Sequence, residues 1–314
     1  MRYVLRKLIS AAATLFAVSV LVFGAFALIP GDPALKKLGT QATQESLARM
    51  REQMGLNAPL PVRYARWAVH FINGDPGTSY SYDIPVRTLL GDKLPVTLAL
   101  VLFSFVLLIV ISIPLGIRHA KYEGRLFDRV FLVLGQIVMA IPPFFLGILL
   151  TWFFGIVLRV FTPGGYVSYR QDPAGFLAYL FFPALAIALP RVAMTVKLLR
   201  AEVLKEATKD YVRTAYSRGN STMSVLYRHV LKNAFLPVLT FLAMNLTDMV
   251  AGSVVIEQVF GIPGIGRFLL VSILGRDHPV VEAIIMGLAA FIIGVNLLTD
   301  LCYRLIDPRI GGES

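Results

Sequence analysis

VTLALVLFSFVLLIVISIPLGI, residues 96–117, runs for 22 positions without a charged side chain. At about 1.5 Å of rise per residue an α-helix of that length reaches about 33 Å, enough to cross the hydrocarbon core of a bilayer. The chain is therefore read as a membrane protein, and the same search works outward from this run. Residues 8–29, 236–256 and 283–299 are further apolar runs of spanning length, and residues 176–189 continue past Arg191 to residue 199 as another. Residues 130–158 are interrupted by Pro142 and Pro143. Each half alone is too short to cross, so this stretch is read as one long helix kinked at the prolines. The expected fold class is an all-α membrane protein with about six transmembrane helices.

Composition agrees. Of 314 residues, 56% are hydrophobic and 16% charged, a balance that excludes an ordinary water-soluble domain of this length. The one cysteine, Cys302, excludes a disulfide within the chain and argues against a cysteine-based metal or redox site. His70, His119, His229 and His278 are scattered over four connections, so no histidine metal site is expected either. The net charge of +11 does not call for nucleic acid, because the basic residues gather beside the apolar runs, where the positive-inside rule accounts for them.

Arg2, Arg6 and Lys7 precede the first run, and Ala25 and Ala27 resemble a cleavage site. Its apolar core exceeds that of a secretory signal, so an uncleaved helix is expected. Arg118, Lys121, Arg125 and Arg129 flank the second connection, and the fourth, from Lys197 to Lys232, is richer still in Lys and Arg. The third holds only Arg159 and Arg170, the fifth only Arg267 and Arg276. Both termini are accordingly expected in the cytoplasm, with the protein multi-pass in the membrane. The first connection, residues 30–95, is long enough to cross regardless of its charge. Within it Leu47, Met50 and Met54, then Val62, Ala65, Val69 and Ile72, recur at helical spacing, which predicts two short amphipathic helices. The expected organisation is a tail and first helix over 1–29, an outer segment over 30–95, a core of five further helices over 96–303, and a cytoplasmic tail over 304–314.

The longest polar stretch expected inside the cell is residues 201–237. Tyr211, Val212 and Ala215 fall on one helical face, and Gly219 supplies a stop. A second helix is expected from Ser221, as N-cap, to Ala234, with Val225, Leu226, His229 and Val230 as its buried stripe. Helix, glycine turn, helix presents a short rigid end to a soluble partner.

Asp210-Tyr211-Val212-Arg213-Thr214-Ala215, then Gly219, then Arg228-His229-Val230-Leu231-Lys232-Asn233-Ala234 and Leu236-Pro237 resemble the coupling loop of permeases in the dipeptide, oligopeptide and nickel branch of ABC importers. The resemblance extends over nearly the whole chain: Ile29-Pro30-Gly31-Asp32-Pro33, Gly74-Asp75 with Gly77-Thr78-Ser79, Pro85-Val86, Leu94-Pro95, Thr97-Leu98, then Glu257, Phe260-Gly261-Ile262-Pro263-Gly264-Ile265-Gly266, Arg276-Asp277 and Asp307-Pro308-Arg309. It implies a B-type permease with type I importer architecture and a cytoplasmic coupling helix. It further implies a heterodimer with a homologous second permease, two cytoplasmic ATPase subunits that bind ATP and Mg, and an extracellular substrate-binding protein. Residues 210–215, Gly219 and His229 are the implied ATPase-coupling positions. Glu257, Phe260, Gly261, Pro263, Gly264 and Gly266 are the implied outer gate or binding-protein contact. The chain carries no GxxxxGK[ST] phosphate loop, so ATP is expected to be handled by those partners, with no catalytic residue here. Short peptides are the expected cargo, with nickel or another metal chelate as the alternative.

Asp248 falls near the middle of the fifth run, where a carboxylate costs about 2.5–3.5 kcal/mol on insertion scales. It is expected to face a partner or a wet pathway, with Asn245 one turn earlier on the same face; an interhelical polar contact is the alternative. Arg191 and Asp300 are expected nearer the cytoplasmic boundary, in structural roles. An ion-coupled carrier would need paired acids at the midplane, and only Asp248 qualifies. A membrane-embedded enzyme finds no HExxH or GxSxG.

Overall fold

The apolar runs fold as helices, as expected from residues whose backbone has no water with which to bond inside a bilayer. The computed structural model describes residues 2–28, 32–39 and 42–306. In chain order the helices are α1 (Arg2–Leu28), α2 (Pro33–Leu38), α3 (Gln44–Gln53), α4 (Leu60–Ile72), α5 (Val86–Lys121), α6 (Leu126–Ala140), α7 (Pro143–Leu150), α8 (Pro173–Ala207), α9 (Asp210–Ser217), α10 (Thr222–Val225), α11 (Leu231–Phe260), α12 (Ile265–Leu274) and α13 (His278–Ile306). Among the described residues, five helices are long and apolar enough to cross a membrane, and a sixth crossing follows if the bent α6–α7 pair is one span. The 29–31 and 307–309 parts of the family-like motifs, and the end of the C-terminal tail, lie outside the described residues.

The sharpest departure from expectation is at Pro142 and Pro143. The two halves of this stretch meet at 104°, far beyond a proline kink. Ile141 and Pro142 are both extended, with ψ of 123° and 140°. A residue before proline is pushed out of the helical region, and with two prolines in a row this applies to Ile141 and Pro142 alike. A π-helical turn over Thr151–Val157 then ends this arm.

A second departure joins what was expected as two elements. Thr222–Phe260 is one continuous helix of 39 residues, carrying a π-helical turn at Leu226–Val230. Ser221 caps it, its Oγ accepting the Ser224 N–H at 3.4 Å.

The chain divides into two compact units, Met1–Val96 with Pro263–Gly294, and Thr97–Ile262 with Val295–Ser314. The expected partition, with 96–303 as one core, puts residues 263–294 elsewhere. They belong with the first unit because Ile265, Phe268, Val280, Ala283 and Ile284 share one buried cluster with Val86. In that unit the Asp277 carboxylate accepts the Ser79 hydroxyl and the backbone N–H groups of Tyr80 and Ser81, at 2.9 and 3.2 Å for the latter two. Two of the family-like motifs, 198 positions apart, thus hold one another. The two amphipathic helices are α3 and α4, with the short α2 in addition. The face of α4 differs from expectation: Val62, Val69 and Ile72 are exposed, and Tyr64 and Trp67 stack instead on Phe23 of α1. Aromatic rings bury more area per residue than the aliphatic stripe and so set the docking face.

The second unit is built on α8 and α11, which pack along each other, with α6 and α7 against α8 and α7 also against α11. Gly116 lets α5 approach α8: a Cβ there would stand 2.7 Å from Cδ2 of Leu199.

Candidate functional site

Both ends of the second unit carry residues singled out in the sequence. At one end α8 finishes, α9 follows, and α10 begins the run into α11. Lys209 opens α9 and Arg218 closes it, with Gly219 at φ +81°, a left-handed conformation that favours glycine. The eight residues of α9 could not persist alone. Val212 and Ala215 anchor it, both buried against the chain itself. Asn220 donates to the Ala215 carbonyl at 2.9 Å. A polar cluster completes the attachment: the Tyr211 hydroxyl donates to Glu206 at 2.8 Å, Asn233 donates to that hydroxyl at 3.1 Å, and Lys209 pairs with Glu206 at 2.7 Å. The bond to Glu206 holds the Lys209 ammonium above the usual lysine range.

Within the coupling positions the structure separates two kinds of residue. Asp210, Tyr211, Arg213, Thr214 and Gly219 are exposed, whereas Val212 and Ala215 are turned inward. His229 is a correction: it is exposed, while Val225, Leu226 and Val230 are buried. The wider π turn, in which the Leu231 N–H reaches back to the Leu226 carbonyl, advances less per residue than an α-helix and leaves residue 229 short of the apolar face.

The same unit holds a node, joining α6 to α8, that sequence reasoning missed. Asp128 is buried and takes Arg200 through both oxygens, Nε to Oδ1 at 2.8 Å and Nη2 to Oδ2 at 2.7 Å. The Gly124 N–H donates to Oδ2 at 2.9 Å, and Nδ1 of buried His119 lies 3.1 Å from Oδ1. This arrangement ties α6, the end of α5 and the end of α8. The available signal was one acidic residue at the head of the apolar stretch beginning at Leu126, with arginines concentrated at the same end.

The opposite end of the unit carries Glu257 and Phe260. Glu257 is fully buried and its Oε1 accepts the Thr97 hydroxyl at 2.6 Å. The Tyr179 hydroxyl donates to the Phe260 carbonyl at 2.6 Å, and Phe161 stacks on both Tyr179 and Phe260. Gly261, at φ +67°, closes α11, and the Ile262 N–H bonds the Glu257 carbonyl at 2.8 Å. In the first unit Gly264 and Gly266 are buried at the start of α12, and Pro263 is partly exposed. Of the six positions implied as an outer gate or binding-protein contact, Glu257, Phe260, Gly264 and Gly266 are buried.

Asn245 and Asp248 do not share a surface. Asn245 is buried and donates to its own helix, at the Phe241 carbonyl, at 2.8 Å, while Asp248 is exposed. Arg191 is not near a helix end: it sits midway along α8 and packs toward Gly252 of α11.

Residues 112–312 match the family of binding-protein-dependent transport system inner membrane components, and residues 1–101 match the N-terminal region model of the same membrane components. The chain is 35% identical to a probable peptide ABC transporter permease of Sinorhizobium fredii, 33% to an oligopeptide transport system permease of Bacillus subtilis and 30% to a dipeptide transport system permease of Alkalihalophilus pseudofirmus, with 98% of each chain covered in every case. The chain belongs to the family of binding-protein-dependent transport system inner membrane components, the permease subunits of ABC importers.

Proposed function

We propose that this chain and a homologous second permease form the translocation pathway of an ATP-driven importer for short peptides. Two cytoplasmic ATPase subunits bind ATP and Mg, and an external binding protein delivers the cargo. The observation that carries this reading is α9: a short helix with Asp210, Arg213 and Thr214 exposed, attached without slack to the ends of α8 and α10–α11. A push on that surface is transmitted to two long helices that pack along each other, which is what biasing a bundle between inward-open and outward-open states requires. The peptide cargo is supported by the relatives, whose names are those of peptide, oligopeptide and dipeptide permeases. The basic residues of the short loops support a topology with both termini and α9 in the cytoplasm.

The test is to purify the tagged chain with its neighbours and to identify the ligand carried by the associated binding protein by mass spectrometry. ATPase subunits in the complex and short peptides in the binding protein are the expected result. A chain that transports without ATPase subunits, or a binding protein loaded with a nickel chelate, overturns the mechanism or the cargo respectively. Tags at the N-terminus and after Ser314 should be unreachable from outside intact cells, and a tag near Gly39 reachable.

A further inference from the structure

Arg191 and Asp248 are two opposite charges at mid-helix that the fold leaves unjoined. Arg191 lies midway along α8 and Asp248 midway along α11, the two helices that pack along each other. Nη1 of Arg191 donates to the Ile187 carbonyl at 3.1 Å, but its buried Nε has no acceptor among the described residues. Nη2 points at Gly252, where a Cβ would stand 3.6 Å away. Gly252 is one helical turn beyond Asp248, so the guanidinium and the carboxylate occupy neighbouring turns of one seam and interact electrostatically. No ion pair closes between them among the described residues.

The same molecule shows what a satisfied arginine looks like. Arg200 gives its Nε and Nη2 edge to both oxygens of Asp128. In Arg191 that edge, whose fork matches a carboxylate, is the one without an acceptor. Asp248 in turn is exposed on this chain. A carboxylate turned toward acyl chains at this depth is strongly disfavoured, so its exposed side belongs to a water-filled or protein-lined path.

We propose that Arg191 and Asp248 together read the two charged ends of a short peptide in transit, Asp248 taking the ammonium and the unpartnered edge of Arg191, uncovered as α8 and α11 part, the carboxylate. This rests on the peptide reading above and adds a specificity-determining pair to it. Because the two charges are near but unpaired, each contact is available to a zwitterion without first breaking an ion pair. The binding is divided between two separated contacts, which favours release as the helices move.

The experiment uses the whole transporter with its binding protein in proteoliposomes, and labelled trialanine in free, N-acetylated and C-amidated forms. For each peptide the rate of a variant is divided by that of the wild type, so the preference of the binding protein cancels. Asp248→Asn should lower uptake of free trialanine about tenfold while leaving the N-acetylated form within about twofold, and Arg191→Gln should do the same with the C-amidated form spared. Equal losses on all three peptides overturn the proposal and leave the peptide function standing; a wild type that carries no peptide overturns both. A second readout is independent of delivery. Asp248→Cys, in a Cys302→Ser background, should react with a water-soluble cationic thiosulfonate and be protected by free trialanine in excess. Absence of reaction in both the nucleotide-free and ATP-trapped states overturns the proposal. So does full recovery of uptake of every peptide form in the double variant Arg191→Asp, Asp248→Arg, which would mark a purely structural pair.

Discussion

The two ends of the second unit each bury a carboxylate, and they satisfy it differently. Asp128, at the α9 end, is covered and held by the Arg200 fork, the Gly124 amide and His119. Glu257, at the other end, is covered and accepts a neutral Thr97 hydroxyl beside a layer of aromatic rings. An ion-paired carboxylate resists any change that leaves one charge behind. The charged node thus fixes α6 and the end of α5 to α8, the helix whose end runs into α9.

Asp128→Ala should produce the largest effect, because it removes the bidentate partner of Arg200 and leaves only the more distant and exposed Glu123 carboxylate at 3.8 Å; about 3 kcal/mol of stability is expected to be lost. Thermal unfolding of the detergent-solubilised complex measures it, and a shift no larger than that of a surface variant would refute the node as the tie between α6 and α8. Ala215→Glu should come next, since the side chain it enlarges is buried under α9 and would force that helix off the chain. Transport should be abolished, with local proteolysis near Gly219 increased. Thr214→Glu, on the exposed side of the same helix, sharpens the contrast: ATPase coupling should fall while the melting temperature stays unchanged. If Ala215→Glu coupled normally, α9 would not be anchored as described. At the opposite end Thr97→Val removes the donor to Glu257 and should cost about 1–3 kcal/mol, with ATPase stimulation by substrate retained per folded complex. The smallest effect is expected from Ser221→Ala, which removes the N-cap of the 39-residue helix at about 1 kcal/mol; unaltered stability there would mean the cap bond is exchanged for water without loss.

Much of the coupling end was legible because its signals are local. Spacing marked Tyr211, Val212 and Ala215 as one face, of which Val212 and Ala215 are buried and Tyr211 is exposed, with Gly219 as a stop and Ser221 as a cap, and each of these depends only on neighbours within about a turn. What misled was also local in origin. The stripe that included His229 assumed α-helical pitch, and a π turn at Leu226–Val230 altered it. The stripe on α4 counted aliphatic residues equally with rings, and the rings decided the packing. The kink expected at Pro142 is a 104° corner, because two successive prolines leave no helical continuation through Ile141.

By itself the sequence determined the membrane class, the apolar spans, the polar hairpin at α9–α10 and the family, since length, composition and short-range periodicity report directly on transfer from water to lipid and on helix pitch. Only the tertiary structure decided that Ser79 meets Asp277, that Thr97 meets Glu257, that Asp128 clasps Arg200 and that Arg191 faces the turn beyond Asp248. These partners are 198, 160 and 72 positions apart in the first three cases. A polar residue in an apolar run announces that it needs a partner, but which partner it finds depends on helix packing, and no local pattern encodes that choice.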